Sequence, residues 1–129
     1  MTRSRMGLAA TFVLAGGAIV ATQNVEEFDG WMRTIDEKNQ SVQQAIARQD
    51  AATAAADARA LQASFTLVER FWVARDDGKE AVALSREGRD RAEAIERALE
   101  AKDFPRAQSE SIKVAETCTP CHRLHRPLP

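Results

Sequence analysis

The sequence has no tyrosine, two cysteines, two histidines, four prolines and six glycines in 129 residues. Two cysteines exclude a disulfide-dense scaffold and a zinc site built from four thiolates. So few glycines and prolines exclude a loop-rich chain and, with abundant alanine, favour helices. An excess of one charge is also missing. The 18 basic and 19 acidic side chains leave a net charge of −1, which offers no basic surface for nucleic acid. After residue 22 no stretch alternates with period two and β-branched residues never cluster, so the strand signal is absent. A composition 44% hydrophobic and 29% charged excludes a wholly disordered chain, and the length allows a single domain. Five phenylalanines and two tryptophans make a modest aromatic core, and a small core commonly needs a staple.

The one long apolar run lies at the N-terminus. Arg3 and Arg5 precede an uncharged stretch over 6–21, the pattern of a secretory signal peptide. The run is short for a membrane span, which needs roughly 20 apolar residues, and Gly16 and Gly17 weaken it as a helix. The expectation is a signal segment over 1–21, with an uncleaved anchor as the alternative, followed by one exported domain over 22–129. In a bacterium that places the domain in the periplasm. Loss of the two arginines leaves 16 basic against 19 acidic side chains, a mildly acidic chain.

Beyond the leader, apolar residues recur at helical spacing. The first stripe is Phe28, Met32, Ile35, Val42 and Ile46, with polar Asn39 inside it. The second, Ala54, Ala58, Leu61, Phe65, Val68 and Trp72, keeps the 4-3-4-3-4 spacing of a bundle seam. The third is Ala81, Leu84, Gly88, Ala92, Ile95 and Leu99, and the fourth is Ala107, Ser111, Val114, Cys118 and Cys121. Asp50 and Asp103 stand where N-caps are needed, Pro105 falls in a first turn, and Asp76-Asp77-Gly78 is a turn signal. These patterns predict helices over 25–48, 51–74, 79–101 and 104–125. Short connections make sequential helices antiparallel neighbours, so the predicted fold is an all-α, up-down-up-down four-helix bundle. The charged run over 86–100, with i,i+4 pairs such as Glu93 and Arg97, reads as a solvated helix face.

The chemistry-bearing motif is Cys118-Thr119-Pro120-Cys121-His122. A C-x-x-C-H run is the attachment signature of c-type haem. On a helix, residues three apart lie about 60° apart around the axis, so both thiols can reach one side of a porphyrin and His122 can lie over its iron. A thioredoxin-like pair would need a βαβ context that is absent. A zinc site could draw only on Cys118, Cys121, His122 and His125, which are crowded in sequence. A disulfide within C-x-x-C closes too small a loop to stabilise much. Pro120 removes a backbone hydrogen bond to Glu116 and should kink or break the fourth helix.

A haem motif at the C-terminal end of a four-helix bundle resembles the class II c-type cytochromes, which include cytochrome c prime and its low-spin relatives. The resemblance covers 22–129. It is carried by the C-x-x-C-H motif and the Arg123-Leu124-His125-Arg126 that follows, similar to the family's C-x-x-C-H-x-x-[Tyr/His]-Arg ending. It implies one covalent haem c held by Cys118 and Cys121, His122 as the proximal iron ligand, and Arg126 beside it. It also implies that a first-helix residue decides the other face of the iron. Here that residue is Met32, which is the one methionine left after residue 21. The resemblance makes it the distal ligand, against the plainer reading of a methionine that packs a core. Phe28 stands where high-spin members often carry an arginine, so no propionate contact carries over.

A His/Met pair suits single-electron transfer, and no acid–base or nucleophile constellation supports an enzyme. The expected function is an exported monohaem carrier with transient redox partner proteins, and the family also contains homodimers. The alternative is a five-coordinate binder of nitric oxide or carbon monoxide, and a third reading is a haem-free interaction bundle. Trp31, Phe65 and Trp72 are candidate pocket walls. Gly88 leaves room for either a porphyrin or a neighbouring helix. His125 could reach a haem edge or act as a rival ligand, but near a fraying end it is expected at the solvent surface.

Overall fold

The helix ends are encoded in the loops. The structure, a computed structural model, describes residues 25–126; the expected signal segment over 1–21 lies outside the described residues. The helices are α1 (Val25–Ala47), α2 (Ala51–Val73), α3 (Lys79–Glu100), α4 (Phe104–Glu116) and α5 (Cys118–His125). α1 and α3 end alike. Gln49 and Lys102 take the left-handed conformation, with φ of 57° and 56°. The next amides, of Asp50 and Asp103, donate back to the carbonyls of Ala45 and Ala98 at 2.9 and 2.8 Å. Each of these aspartates then caps the following helix, accepting from the Thr53 amide at 3.1 Å and the Arg106 amide at 3.0 Å. One residue thus closes one helix and opens the next, which makes the chain reverse within three residues.

α1 packs on α2 and α4, α2 on α3, and α3 on α4, with no close approach across either diagonal. Four antiparallel helices therefore enclose one core. Alanines 45, 54, 58, 81, 92 and 107 are completely buried and let the backbones approach closely, while Val42, Leu61, Ile95 and Val114 fill the layers between them. Aromatic residues collect at one end. The Phe28 and Phe71 rings lie 4.4 Å apart, and Trp72 meets both edge-on at 5.9 and 5.4 Å. Trp72 and Phe71 are the largest fully buried side chains. Among the described residues, no helix is long and apolar enough to cross a membrane.

The charged run on α3 does more than face water. Glu93 and Arg97 pair within the helix as expected. Arg86 and Arg89, however, both reach Glu69 of α2, Glu96 accepts from Arg59 and Gln62 of α2 at 2.8 Å each, and Arg91 reaches Glu110 of α4 at 3.2 Å. The hydrogen bonds from Gln62 and Arg59 hold the Glu96 carboxyl below its ordinary value. Burial alone would push the Glu110 carboxyl up, but hydrogen bonds and charges of Lys113 and Arg91 outweigh it and hold it down. A carboxylate with a lowered folded pKa stabilises the fold above the unfolded value and loses that contribution as pH falls through the folded one. The contribution of these two carboxylates to the thermal midpoint should therefore hold between pH 7 and 5 and be lost once pH drops below the ordinary glutamate value of 4.5. A Glu96→Gln/Glu110→Gln variant should start lower at pH 7 and fall less on acidification. Parallel melting profiles for the two proteins would refute this account.

Candidate functional site

The predicted fourth helix is two helices. α4 stops at Glu116, Thr117 caps it, and α5 starts at Cys118. The reason is Pro120, which has no N–H for the Glu116 carbonyl and whose ring would collide with it. The chain breaks one turn earlier, so that Pro120 falls in the first turn of α5, where no partner for its nitrogen is needed. Thr117 secures the junction: its Oγ1 donates to the Val114 carbonyl at 2.7 Å and its amide to the same oxygen at 3.1 Å. The break sets the C-x-x-C-H motif on a helix of its own. α5 still meets α3 and α4, but no Cα of α5 comes within 8 Å of one in α1.

That separation leaves a slot. A cavity of about 220 Å³ is lined by Met32, Ile35 and Asn39 of α1, Phe65 and Val68 of α2, Leu84 of α3, and Cys118, Cys121 and His122 of α5. Its wall is predominantly apolar, and Ser85, one of its polar groups, satisfies its hydroxyl on the Ala81 carbonyl at 2.6 Å. Two adjoining cavities of about 320 and 500 Å³ continue toward the surface, and Met32 and His122 line all three. The residues singled out in the sequence, Cys118, Cys121, His122 and Met32, thus meet around one space.

The four stripes locate the same place independently. Nearly every stripe position is buried; Met32, Asn39, Leu84, Cys118 and Cys121 are only half-buried. All five border the first cavity. The seam is fully covered except at this slot, where Met32 and Cys121 pack against the core on one side and border the apolar space on the other.

The site's electrostatics favour neutral groups. Burial pushes the Cys118 thiol up, and burial together with the neighbouring Cys118 and Glu80 pushes Cys121 up to about 11. Both thiols are unbonded to each other and protonated at neutral pH. A reactive Cys-x-x-Cys pair has the opposite shift. Burial and the Arg126 charge push the His122 imidazole down, against a smaller pull from Asp36, which keeps a ring nitrogen lone pair available. Among the described residues no three His, Cys, Asp or Glu side chains converge on a metal position, so the zinc candidates do not assemble.

Other expectations divide. Phe65 lines the first cavity and Trp72 the second. Trp31 lines none of the three; it packs on Phe28 instead, 6.3 Å away, because position 31 sits one residue, about 100°, off the buried stripe. Gly88 makes room for a helix neighbour: a Cβ built there would stand 2.6 Å from the Phe65 ring. His125 is not at the solvent surface. It is half-buried with its ring 4.6 Å from that of Trp72. A signal for this existed in the fourth stripe, which extends from Cys121 by four residues to His125. Asp36 and Thr117 also line the first cavity and carry no sequence signal of their own. Comparisons with protein-family models, curated proteins and solved structures find no match to this chain, so the reading of the site rests on its own residues.

Proposed function

We propose that the chain is an exported, periplasmic monohaem c-type cytochrome of the class II kind, passing single electrons between transient redox partners. In this reading Cys118 and Cys121 hold the haem covalently, and His122 and Met32 bind its iron. The observation that carries it is the agreement between motif and seam. A C-x-x-C-H run borders the same apolar slot as all five half-covered stripe positions. Bound there, a haem would supply a one-electron iron centre whose ring provides four of the ligands, leaving two for the protein. Cys118 and Cys121, three apart on α5, project to one side of that helix. His122 follows them with its imidazole held neutral by burial. Met32 approaches from α1 and offers a thioether, a ligand that favours reduced iron and a higher potential. Ile35, Phe65, Val68 and Leu84 would exclude water from the ring. Encounters with redox partners are characteristically small and short-lived.

The test is one set of absorption spectra on the full chain made with haem-attachment machinery. The expected protein is coloured, with a low-spin oxidised spectrum, a methionine-to-iron charge-transfer band and little response to carbon monoxide when reduced. A high-spin spectrum with rapid carbon monoxide binding would replace electron transfer by gas binding. A colourless protein would leave an interaction bundle.

A further inference from the structure

Two buried nitrogens beside the slot have no hydrogen-bond partner among the described residues: Nε1 of Trp72, a residue only 1% exposed, and Nε2 of His125. A buried donor left unpaired is costly, so each such group calls for a partner. Both residues line the second cavity, the one of about 320 Å³ that opens from Met32, Cys121 and His122. Arg126 lines it too and has no ion pair among the described residues. The one acid on this wall is Asp29, which is exposed on α1.

The donor set specifies what fits. An indole nitrogen can only donate, a guanidinium only donates, and His125 can present Nε2–H as one tautomer or as the cation. Three donors around one cavity, one of them a fixed positive charge, match an anionic acceptor, and the planar Arg126 fork suits a carboxylate. The neighbouring first cavity is predominantly apolar, with Asp36 as its one acid. A ligand that fills both has an apolar body and a carboxylate at its edge.

We infer that Trp72, His125 and Arg126 form a carboxylate-binding subsite that receives the acidic edge of the cofactor, an inference that rests on the haem reading above. The subsite ties α2 to α5, two helices with no Cα pair within 8 Å.

The test uses the full haem-loaded chain and the propionate bending modes of its resonance Raman spectrum. Trp72→Phe removes the indole N–H while keeping an aromatic ring, and His125→Phe removes the imidazole at a half-buried position that a change is less able to unfold. Each should shift a propionate mode to lower frequency, and Trp31→Phe, outside the cavities, should leave it in place. If Trp72→Phe does not fold, His125→Phe decides alone. Coloured protein with an unmoved mode in the variants overturns the subsite and leaves the haem reading standing; the two nitrogens would then satisfy each other or a water. A colourless wild-type protein overturns the haem reading, and the subsite with it.

Discussion

Replacing Met32 by alanine is expected to convert the oxidised haem protein from low-spin to high-spin, abolish the methionine-to-iron charge-transfer band and open the reduced protein to carbon monoxide. The argument starts from position. Met32 and His122 are the two residues that line all three adjoining cavities, one from α1 and one from α5. No Cα pair between these helices lies within 8 Å, so the two side chains face the slot from well-separated backbones. The change should act on the iron and not on the fold. Met32 is only half-buried, while Phe28 before it and Ile35 after it anchor the same stripe in the core. Its truncation should cost less than the roughly 2–5 kcal/mol of a fully buried Met→Ala. Met32→Leu separates ligation from packing: it restores the apolar volume without a sulfur and should give the same high-spin spectrum. The potential should fall in both variants, since the thioether favours the reduced state. An unchanged spectrum in Met32→Ala would show that the sulfur is not a ligand.

Gly88→Ala should destabilise the bundle and narrow the slot together. At an unconstrained helix position this change would gain about 1 kcal/mol in propensity. Here the new Cβ would stand 2.6 Å from two carbons of the Phe65 ring, a separation that real contacts do not reach. Phe65 is 5% exposed and has two ways to yield. It can push α2 and α3 apart along their extensive interface, or swing into the cavity that it lines. Overpacking of this kind costs about 1–3 kcal/mol, so the net effect is a loss on the order of 1 kcal/mol where the propensity scale gives a gain. Chemical denaturation measures it. A Phe65→Leu change in the same chain should relieve the clash, and the double-mutant cycle should show strong positive coupling. Haem loading should drop in Gly88→Ala and recover in the double variant. Independent, additive effects would mean that Gly88 does not set the position of the ring.

Much of this molecule was legible before its structure. The four stripes gave the helix faces because burial in an antiparallel bundle repeats every three to four residues. Asp50 and Asp103 gave two boundaries because a capping carboxylate acts locally, on amides two or three residues away. Pro120 announced the break between α4 and α5 through a missing N–H, although the junction itself fell at Thr117, where a hydroxyl could cap the freed carbonyls. The Cys118, Cys121 and His122 spacing was visible for the same reason: its chemistry is carried within a single turn of helix.

Long-range placement was not legible. Whether Gly88 faces a cofactor or a helix depends on where Phe65, 23 positions earlier, puts its ring. His125 was misplaced because its surroundings come from Trp72 on another helix. The arginines of α3 looked like a solvated face because their partners Glu69 and Glu110 lie on α2 and α4. The sequence by itself determined the elements, the buried faces and the thiol–imidazole motif, all of which follow from contacts within a turn or two. The tertiary structure alone decided that the five half-covered seam residues share one slot, that Met32 and His122 flank it, and that two buried nitrogens beside it stand without partners. Those facts depend on how separate helices approach one another, and that distance is set by packed side-chain volumes from four different segments of the chain.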